Sequence, residues 1–346
     1  MVNIIGEEEM AKELSSRGLL LISVEAGLML LLNMLSLIGN PLTCIAVYRN
    51  TRLRTTTNIY IAALAAVDLL SASLASPMPT GVLISGRWPF GEALCKINAF
   101  IVTYVTYISP VIIGLTALNR YVKICKTNQQ YKRLFSEKKS RILVVTVWLL
   151  MGVYVVISRL IGPQEVQFSP GYALCLNSHL SRLGRVIRLA IMVGLFFTVP
   201  LAITLISYGK VIKKIGEHKR GIAHVHQTHP PTTRISSREI RINKSLFIII
   251  FAFVLCFTPL WTISILTRLR IVEKVPRNLE LLCSFCLASS NTVNPFIYAG
   301  VNPMFKREFQ RILRCKSPNT IQDISTEPAS RRAYSTITNG NSQSVV

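Results

Sequence analysis

The sequence predicts an all-α membrane protein: a seven-transmembrane helix bundle with a short amphipathic eighth helix on the cytoplasmic face. Three observations predict it. Charge is segregated, although 16% of the 346 residues are charged and 50% are hydrophobic. Seven stretches, 26–48, 55–86, 97–119, 142–158, 189–209, 245–267 and 281–305, are free of charge apart from Asp68. About 20 apolar residues cross the ~30 Å hydrocarbon core of a bilayer. Six stretches meet that length, and the fourth is extended by Leu160, Ile161 and Gly162 while Arg159 snorkels. Second, 27 of the 39 Lys and Arg fall in alternate connections, at 49–54, 120–141, 210–244 and after 305. The positive-inside rule places those connections in the cytoplasm. Third, the segment after the last run puts Phe305, Phe309, Ile312 and Leu313 on one face and basic residues opposite, as a helix lying along a membrane surface does.

Taken in order, residues 1–22 form a short extracellular N-terminus. Acids stand where a signal peptide would be basic, so the first apolar run is expected to be a true span. The membrane domain covers 23–302, with spans at about 23–48, 56–84, 96–123, 140–162, 186–212, 238–268 and 278–302. The amphipathic helix occupies 303–315, and the Ser/Thr-rich tail 316–346 is expected to be disordered. Orientation follows from the charge pattern, with the N-terminus outside and the C-terminus inside, in a multi-pass plasma-membrane protein.

The net charge of +23 lies in short juxtamembrane loops, where it suits anionic lipid. A nucleic-acid partner would need a basic face on a soluble domain, and none is expected. Among the eight cysteines, Cys95 and Cys175 fall in predicted extracellular loops, where a disulfide is compatible with the oxidising side. Cys283 and Cys286 read as packing residues of the last span. Cys315, after the amphipathic segment, is a candidate for palmitoylation. His218, His224, His226 and His229 sit in a Pro/Thr-rich loop and read as solvated, with no metal.

Intramembrane polar groups are costly and point to function. Asp68 is the acid in mid-span, and Asn40, Ser109, Ser290, Asn291 and Asn294 lie at plausible depths elsewhere. They read either as a hydrogen-bonded packing cluster or as an oxygen shell for a small cation. Pro200, Pro259 and Pro295 each remove a helix hydrogen bond and permit a kink. Arg159, Arg182, Arg185, Arg188, Arg268 and Arg270 ring the extracellular ends of spans four to six. Interfacial anchoring is the ordinary reading, and recognition of an anionic ligand the alternative. No HExxH or GxSxG occurs, every histidine lies outside the spans and Asp68 has no paired carboxylate, so enzyme activity is not expected. A transporter or channel is the competing class, but it would show repeats or a series of intramembrane charges.

The GN of the first span, LAAVD of the second, Cys95 followed by NRY, Trp148, FTVP with Tyr208, FVLCFTP and NPFIY together resemble the rhodopsin-like (class A) G-protein-coupled receptors, over roughly residues 20–315. Within that family, TALNRYVKICK and YKRLFSEKKSRILVVTVWLL look most like melatonin receptors and their orphan relatives. The resemblance implies activation of a heterotrimeric G protein of inhibitory type by an extracellular small-molecule ligand. It also implies arrestin and receptor-kinase contacts through the tail. The terminal Ser344, Val345 and Val346 suit a PDZ domain. Asn119, Arg120 and Tyr121 match the coupling motif at the foot of span three, and Glu239 the acid that restrains the arginine. Tyr208, Asn294, Pro295 and Tyr298 match residues that move on activation, and Phe253, Phe257 and Pro259 the switch of span six. Asn40, Asp68, Ser109, Ser290 and Asn291 match an allosteric sodium site, and Cys95 with Cys175 the extracellular disulfide of the family. The ligand pocket maps to Val102, Ser158, Arg188, Met192, Phe196, Phe257 and Ala288.

Departures narrow the ligand. Val102 stands where aminergic receptors have aspartate, so the ligand is expected not to be an amine. Ala288 replaces the lysine that binds retinal, so no retinal is expected. Ser158 and Phe196 replace the Asn and His that contact melatonin. Asn119 replaces the acid that neighbours the arginine in most members, which leaves Glu239 as the main expected restraint on Arg120.

Overall fold

The computed structural model describes residues 2–160, 164–179, 181–224, 237–269, 271–272 and 275–315. Helix α1 (Val2–Ser15) precedes the first span, α2 (Leu19–Arg49). The second span is α3 (Thr56–Leu70) and α4 (Pro77–Ser85), joined by a π turn at Ser71–Ala75. The third is α5 (Gly91–Cys125), followed by the short α6 (Asn128–Leu134) and the fourth span α7 (Glu137–Leu160). A hairpin of β1 (Gln164–Ser169) and β2 (Leu174–His179) sets Phe168 opposite Cys175. The fifth span is α8 (Arg182–Val193) and α9 (Val199–His224) around a second π turn, Gly194–Thr198. The sixth is α10 (Ser237–Arg268), the seventh α11 (Arg277–Val301), and α12 (Pro303–Leu313) closes the fold. The tail with its Ser344–Val346 terminus, and His226 and His229, lie outside the described residues, as do the side chains of His218, His224, Arg182, Arg185, Glu239, Arg268 and Arg270.

Local chemistry places the breaks. An unbroken helix would pair the nitrogens of Pro77 and Pro200 with the carbonyls four residues back, on Ser73 and Phe196. Proline has no N–H to give, and in both spans the turn holding that carbonyl widens to π geometry. Thr127 and Gln130 cap α6 reciprocally. Asn302 accepts from the Met304 amide at 3.1 Å, and Pro303 occupies the first turn of α12.

The spans close a ring around α5, which packs on α3, α7 and α9, while α11 bridges α10 and α2. Among the described residues, six helices are long and apolar enough to cross a membrane. The 25-residue α11 is the seventh by length. Its inner face is polar, and that face is buried against the other spans. At the foot of the ring α12 turns Phe305 and Phe309 inward, with Phe305 stacked on Tyr298 at 5.3 Å.

The N-terminal segment is more than a leader to the first span. GEEEMAKEL is rich in helix formers, but an isolated helix of 14 residues is marginal. Tertiary contacts hold it. Leu14, 1% exposed, inserts among Met29, Val82, Leu83, Ala173 and Leu281. Beside it lies an ionic knot. Arg277 donates through Nη1 and Nη2 to Glu25 at 3.2 and 2.5 Å and through Nε to Glu13 at 3.2 Å. Arg17 donates to Glu25 at 2.5 Å and to the Leu83 carbonyl at 2.6 Å. Two guanidiniums and two carboxylates thus tie α1 to α2, α4 and α11.

Removing one partner of a buried pair costs about 3–5 kcal/mol, because the other is left charged and unmatched. Glu25→Ala is therefore expected to lower the thermal midpoint of the purified protein by on the order of ten degrees. Glu92→Ala, which removes an exposed pair with Lys96, should leave it unchanged. Equal midpoints for the two variants would rule out a structural knot.

Candidate functional site

At the end of the bundle that carries the hairpin and α1, a cavity of about 280 Å³ opens between the spans. Its floor is apolar and aromatic, made by Val102 and Tyr107 of α5, Met192 of α8, Leu260 and Trp261 of α10 and Leu287 of α11. The hairpin lends Gln167, Leu174, Leu176 and Asn177 to one wall. Glu7 of α1 and Glu280 of α11 bring carboxylates to the roof, and Arg188 of α8 brings a cation to the side. Burial pushes the half-buried Glu7 carboxyl up from its ordinary value.

The hairpin is held over this cavity by covalent and polar ties. Cys95 and Cys175 form a disulfide with their Cα atoms 5.3 Å apart. Next to it, Asn98 accepts from the Cys175 amide at 3.1 Å and donates to the Ala75 carbonyl at 3.2 Å. The Ser284 hydroxyl bonds the Tyr172 carbonyl at 2.6 Å, which ties the turn to α11.

Of the pocket residues expected from sequence, Val102, Arg188 and Met192 line the cavity. Ala288 lines a smaller neighbouring one of about 40 Å³, which Val102 shares. Three expected residues lie elsewhere. Phe196 is buried in the core, stacked on Tyr107 at 4.8 Å. Phe257 is stacked on Phe253 at 4.1 Å, beneath the floor. The Ser158 hydroxyl turns back to its own helix and donates to the Val155 carbonyl at 2.9 Å. Trp261, one turn outward from Phe257, takes the lining position instead, against Phe197 at 5.0 Å.

Below the floor, the polar residues of spans one, two and seven meet. Asn294 donates to Asp68 Oδ2 at 2.9 Å, and Asn291 to the Ser71 hydroxyl at 2.9 Å. Asn40 reaches the Asn291 carbonyl at 3.0 Å and the Ser36 hydroxyl at 2.9 Å. Gly39 permits this approach, since a Cβ there would stand 2.8 Å from Pro295 Cγ. Asp68, Ser109, Ser290 and Asn291 surround a cavity of about 10 Å³, about one water in size. The Ser109 hydroxyl is buried there without a hydrogen-bond partner among the described residues. A carboxylate, two hydroxyls and an amide oxygen are the hard donors a sodium ion takes, so the residues fit that ion.

At the opposite end, Arg120 is 0% exposed, and its Nε donates to Asn243 Oδ1 of α10 at 2.9 Å. Asn243 lies one turn beyond Glu239 on the same helix. Asn119 turns away from α10, accepting from Thr57 at 2.8 Å and donating to the Tyr131 hydroxyl at 3.4 Å. Tyr121 faces outward, with the Lys126 and Lys210 ammonium groups 5.9 and 5.2 Å from its ring centre. Tyr208 and Tyr298 share an apolar cavity of about 10 Å³ with Leu246, Ile249 and Ile250. Pro259 lies inside α10 and Pro295 inside α11. Cys315 is a free, exposed thiol after α12.

A family model described as "7 transmembrane receptor (rhodopsin family)" matches residues 39–298. Among curated proteins, the melatonin receptor type 1B-B of Danio rerio is 24% identical over 302 residues, 86% of this chain and 84% of its own. The melatonin receptor type 1A of Gallus gallus is 27% identical over 313 residues, 88% and 86% of the two chains. The QRFP-like peptide receptor of Branchiostoma floridae is 25% identical over 303 residues, 83% and 79%.

The positions of Phe196 and Ser158 make contrasting predictions. Phe196→Ala removes a ring packed between Tyr107 and Tyr154 and is expected to cost about 3–5 kcal/mol. Ser158→Ala removes a small half-buried hydroxyl that bonds the Val155 carbonyl and, read as the thermal midpoint of the purified protein, is expected to cost less than half as much. A silent Phe196→Ala would show that the ring is not part of the core.

Proposed function

The chain belongs to the rhodopsin family of seven-transmembrane receptors, and on that premise we propose that it converts binding of an extracellular small molecule in the hairpin-end cavity into activation of a heterotrimeric G protein at the opposite end. It is a receptor and not an enzyme. The observation that carries the reading is the wholly buried Arg120 tied to Asn243 of α10. A cation at the foot of span three restrained by span six is a latch, and its release opens the face where a G protein docks. The alternating Lys/Arg pattern puts the hairpin end outside and α12 inside at the plasma membrane.

The finer assignments follow from the same geometry and the resemblance. The inhibitory class of G protein is favoured by the likeness to melatonin receptors. The Ser/Thr-rich tail serves receptor kinase and arrestin, its last three residues a PDZ domain, and Cys315 an acyl chain that holds α12 to the bilayer. Asp68, Ser109, Ser290 and Asn291 hold an allosteric sodium ion. Melatonin is not the proposed ligand, because Phe196 stands in place of the contacting histidine and is committed to the core. Nor is the ligand an amine paired with span three, where Val102 offers no charge.

Activation needs Arg120 to part from α10. A hydrogen bond to a charged group contributes about 1.5–3 kcal/mol, and 1.4 kcal/mol is tenfold in an equilibrium. Asn243→Ala is therefore expected to raise basal G-protein dissociation about tenfold per receptor at the cell surface. Glu239→Gln should raise it as well, and Asn119→Asp, which offers Arg120 a neighbouring acid, should lower it. Identical basal signalling in the three variants and the parent would sink the latch.

A further inference from the structure

We propose that the roof of the hairpin-end cavity is a site for an organic cation, whose charged nitrogen is held between the carboxylates of Glu280 and Glu7 while the apolar floor takes the rest of the ligand. This rests on the reading of that cavity as the ligand site, and it names the ligand's chemical class. The expectation of a non-amine ligand came from Val102, which lies at the floor. The roof, built from segments with no apolar signal, imposes the opposite requirement.

Glu280 carries the argument. It sits in the first turn of α11, is 8% exposed and faces the cavity. Its Oε2 is buried with no hydrogen-bond partner among the described residues. The oxygen is wedged beneath the hairpin turn, where a Cβ on Gly171 would land on it. A buried carboxylate without a donor is expensive, and a second acid aggravates the cost. Glu7, on α1, lines the same cavity and is close enough to repel it.

Among the described residues, the arginines beside Glu280 are already matched. Arg277, three residues before Glu280, directs Nε to Glu13 and both Nη atoms to Glu25. Arg17 directs Nη1 to the same Glu25. Two arginines and two glutamates close that knot as a neutral set, which among the described residues leaves Glu7 and Glu280 as excess negative charge at the roof. Arg188 is the third charged residue among the described lining, and its cation is near enough to Tyr154 and Arg159 of α7 to act on both. The cavity is therefore polarised, negative toward α1 and α11 and positive toward α8. A protonated nitrogen at the roof supplies the donors that Glu280 lacks and separates it from Glu7. Below it, Trp261, Tyr107, Leu287 and Met192 offer an aromatic and aliphatic bed for the body of the ligand.

The test uses the full chain purified in detergent at neutral pH, with ligand-induced thermal shift as the readout, so that its outcome is independent of G-protein coupling. The probes are 4-phenylbutylamine, its neutral counterpart 4-phenylbutan-1-ol and the anion 4-phenylbutanoate. The amine is expected to stabilise the protein at concentrations about tenfold lower than the alcohol, as suits a charge-assisted pair, and the anion to be weakest. Glu280→Gln, isosteric and uncharged, should bring amine and alcohol to parity, and Glu7→Gln should narrow the gap in part. Unliganded midpoints of the two variants within a few degrees of the parent establish that they fold. Parity of amine and alcohol in the parent, a preference that survives Glu280→Gln, or no shift with any probe would each overturn the cation site. Basal signalling measured in parallel separates the failures: loss of amine preference with the Arg120 latch intact refutes this inference alone.

Discussion

Inside the hydrocarbon slab a polar group has no water to bond, so its partner must come from the bundle. The inner face of α11 bears most of this constraint. Arg277 reaches Glu25 and Glu13, Ser284 reaches the hairpin turn, Asn291 reaches Ser71 and receives Asn40, and Asn294 reaches Asp68. Together these bonds fix α11 against α1, α2, the second span and the hairpin, at several depths. The helix that hydropathy alone marks least clearly as a span is thereby held by polar bonds along much of its length. Gly39, by admitting Pro295 to van der Waals distance, sets how closely α2 and α11 approach. A side chain at that position would push the helices apart and break the Asn40–Asn291 contact with them.

This constraint also explains what was legible in the sequence. Lipid enforces an almost binary pattern, so charge-free runs mark spans, and an isolated Asp68 or Asn40 within one stands out. Arg120 stands out for the same reason, at the boundary of a run. Legibility fades where water returns. Arg277, Glu280 and Glu25 lie at span ends, where charge is ordinary, and nothing in spacing distinguishes a buried knot from surface anchors. Helix α1 has no apolar stripe of a span's length, since Leu14 and the ionic knot at its end hold it. Asn243 reads as one more polar residue before an apolar run, and only the approach of α10 to α5 gives it to Arg120. Within the pocket, sequence position assigned Phe196 and Phe257 to the lining, but the direction of each ring decides between lining and packing. Those rings point at Tyr107 and Phe253, and Trp261 faces the cavity in their place.

One face of α10 links the two ends of the bundle side chain by side chain. Trp261 lines the upper cavity, and Phe257 and Phe253 follow at four-residue steps, stacked on each other at 4.1 Å. Ile250 and Leu246 continue the face into the apolar cavity shared with Tyr208 and Tyr298. Asn243 ends it on Arg120. Spacings of three and four keep all six on one side of a helix, so a small rotation moves every contact together. Pro259 lies within this run and loosens the helix between Trp261 and Phe257.

Free volume decides how such a rotation proceeds. The cavities beside Asp68 and beside the two tyrosines are each about 10 Å³, too little for a ring to slide by degrees. Tightly packed interiors with so little slack hold alternative arrangements in preference to a continuum. The large cavity above, at about 280 Å³, has room for an added molecule without displacing the core. A ligand there meets Trp261 at its base and the α1 and α11 carboxylates at its top, so it bears on α10 and α11 at once. Those are the two helices whose side chains reach Arg120 and Asp68. On the proposed reading, moving one against the other would exchange polar partners at both sites together, and so would couple occupation of a cavity at one end to release of a cation at the other.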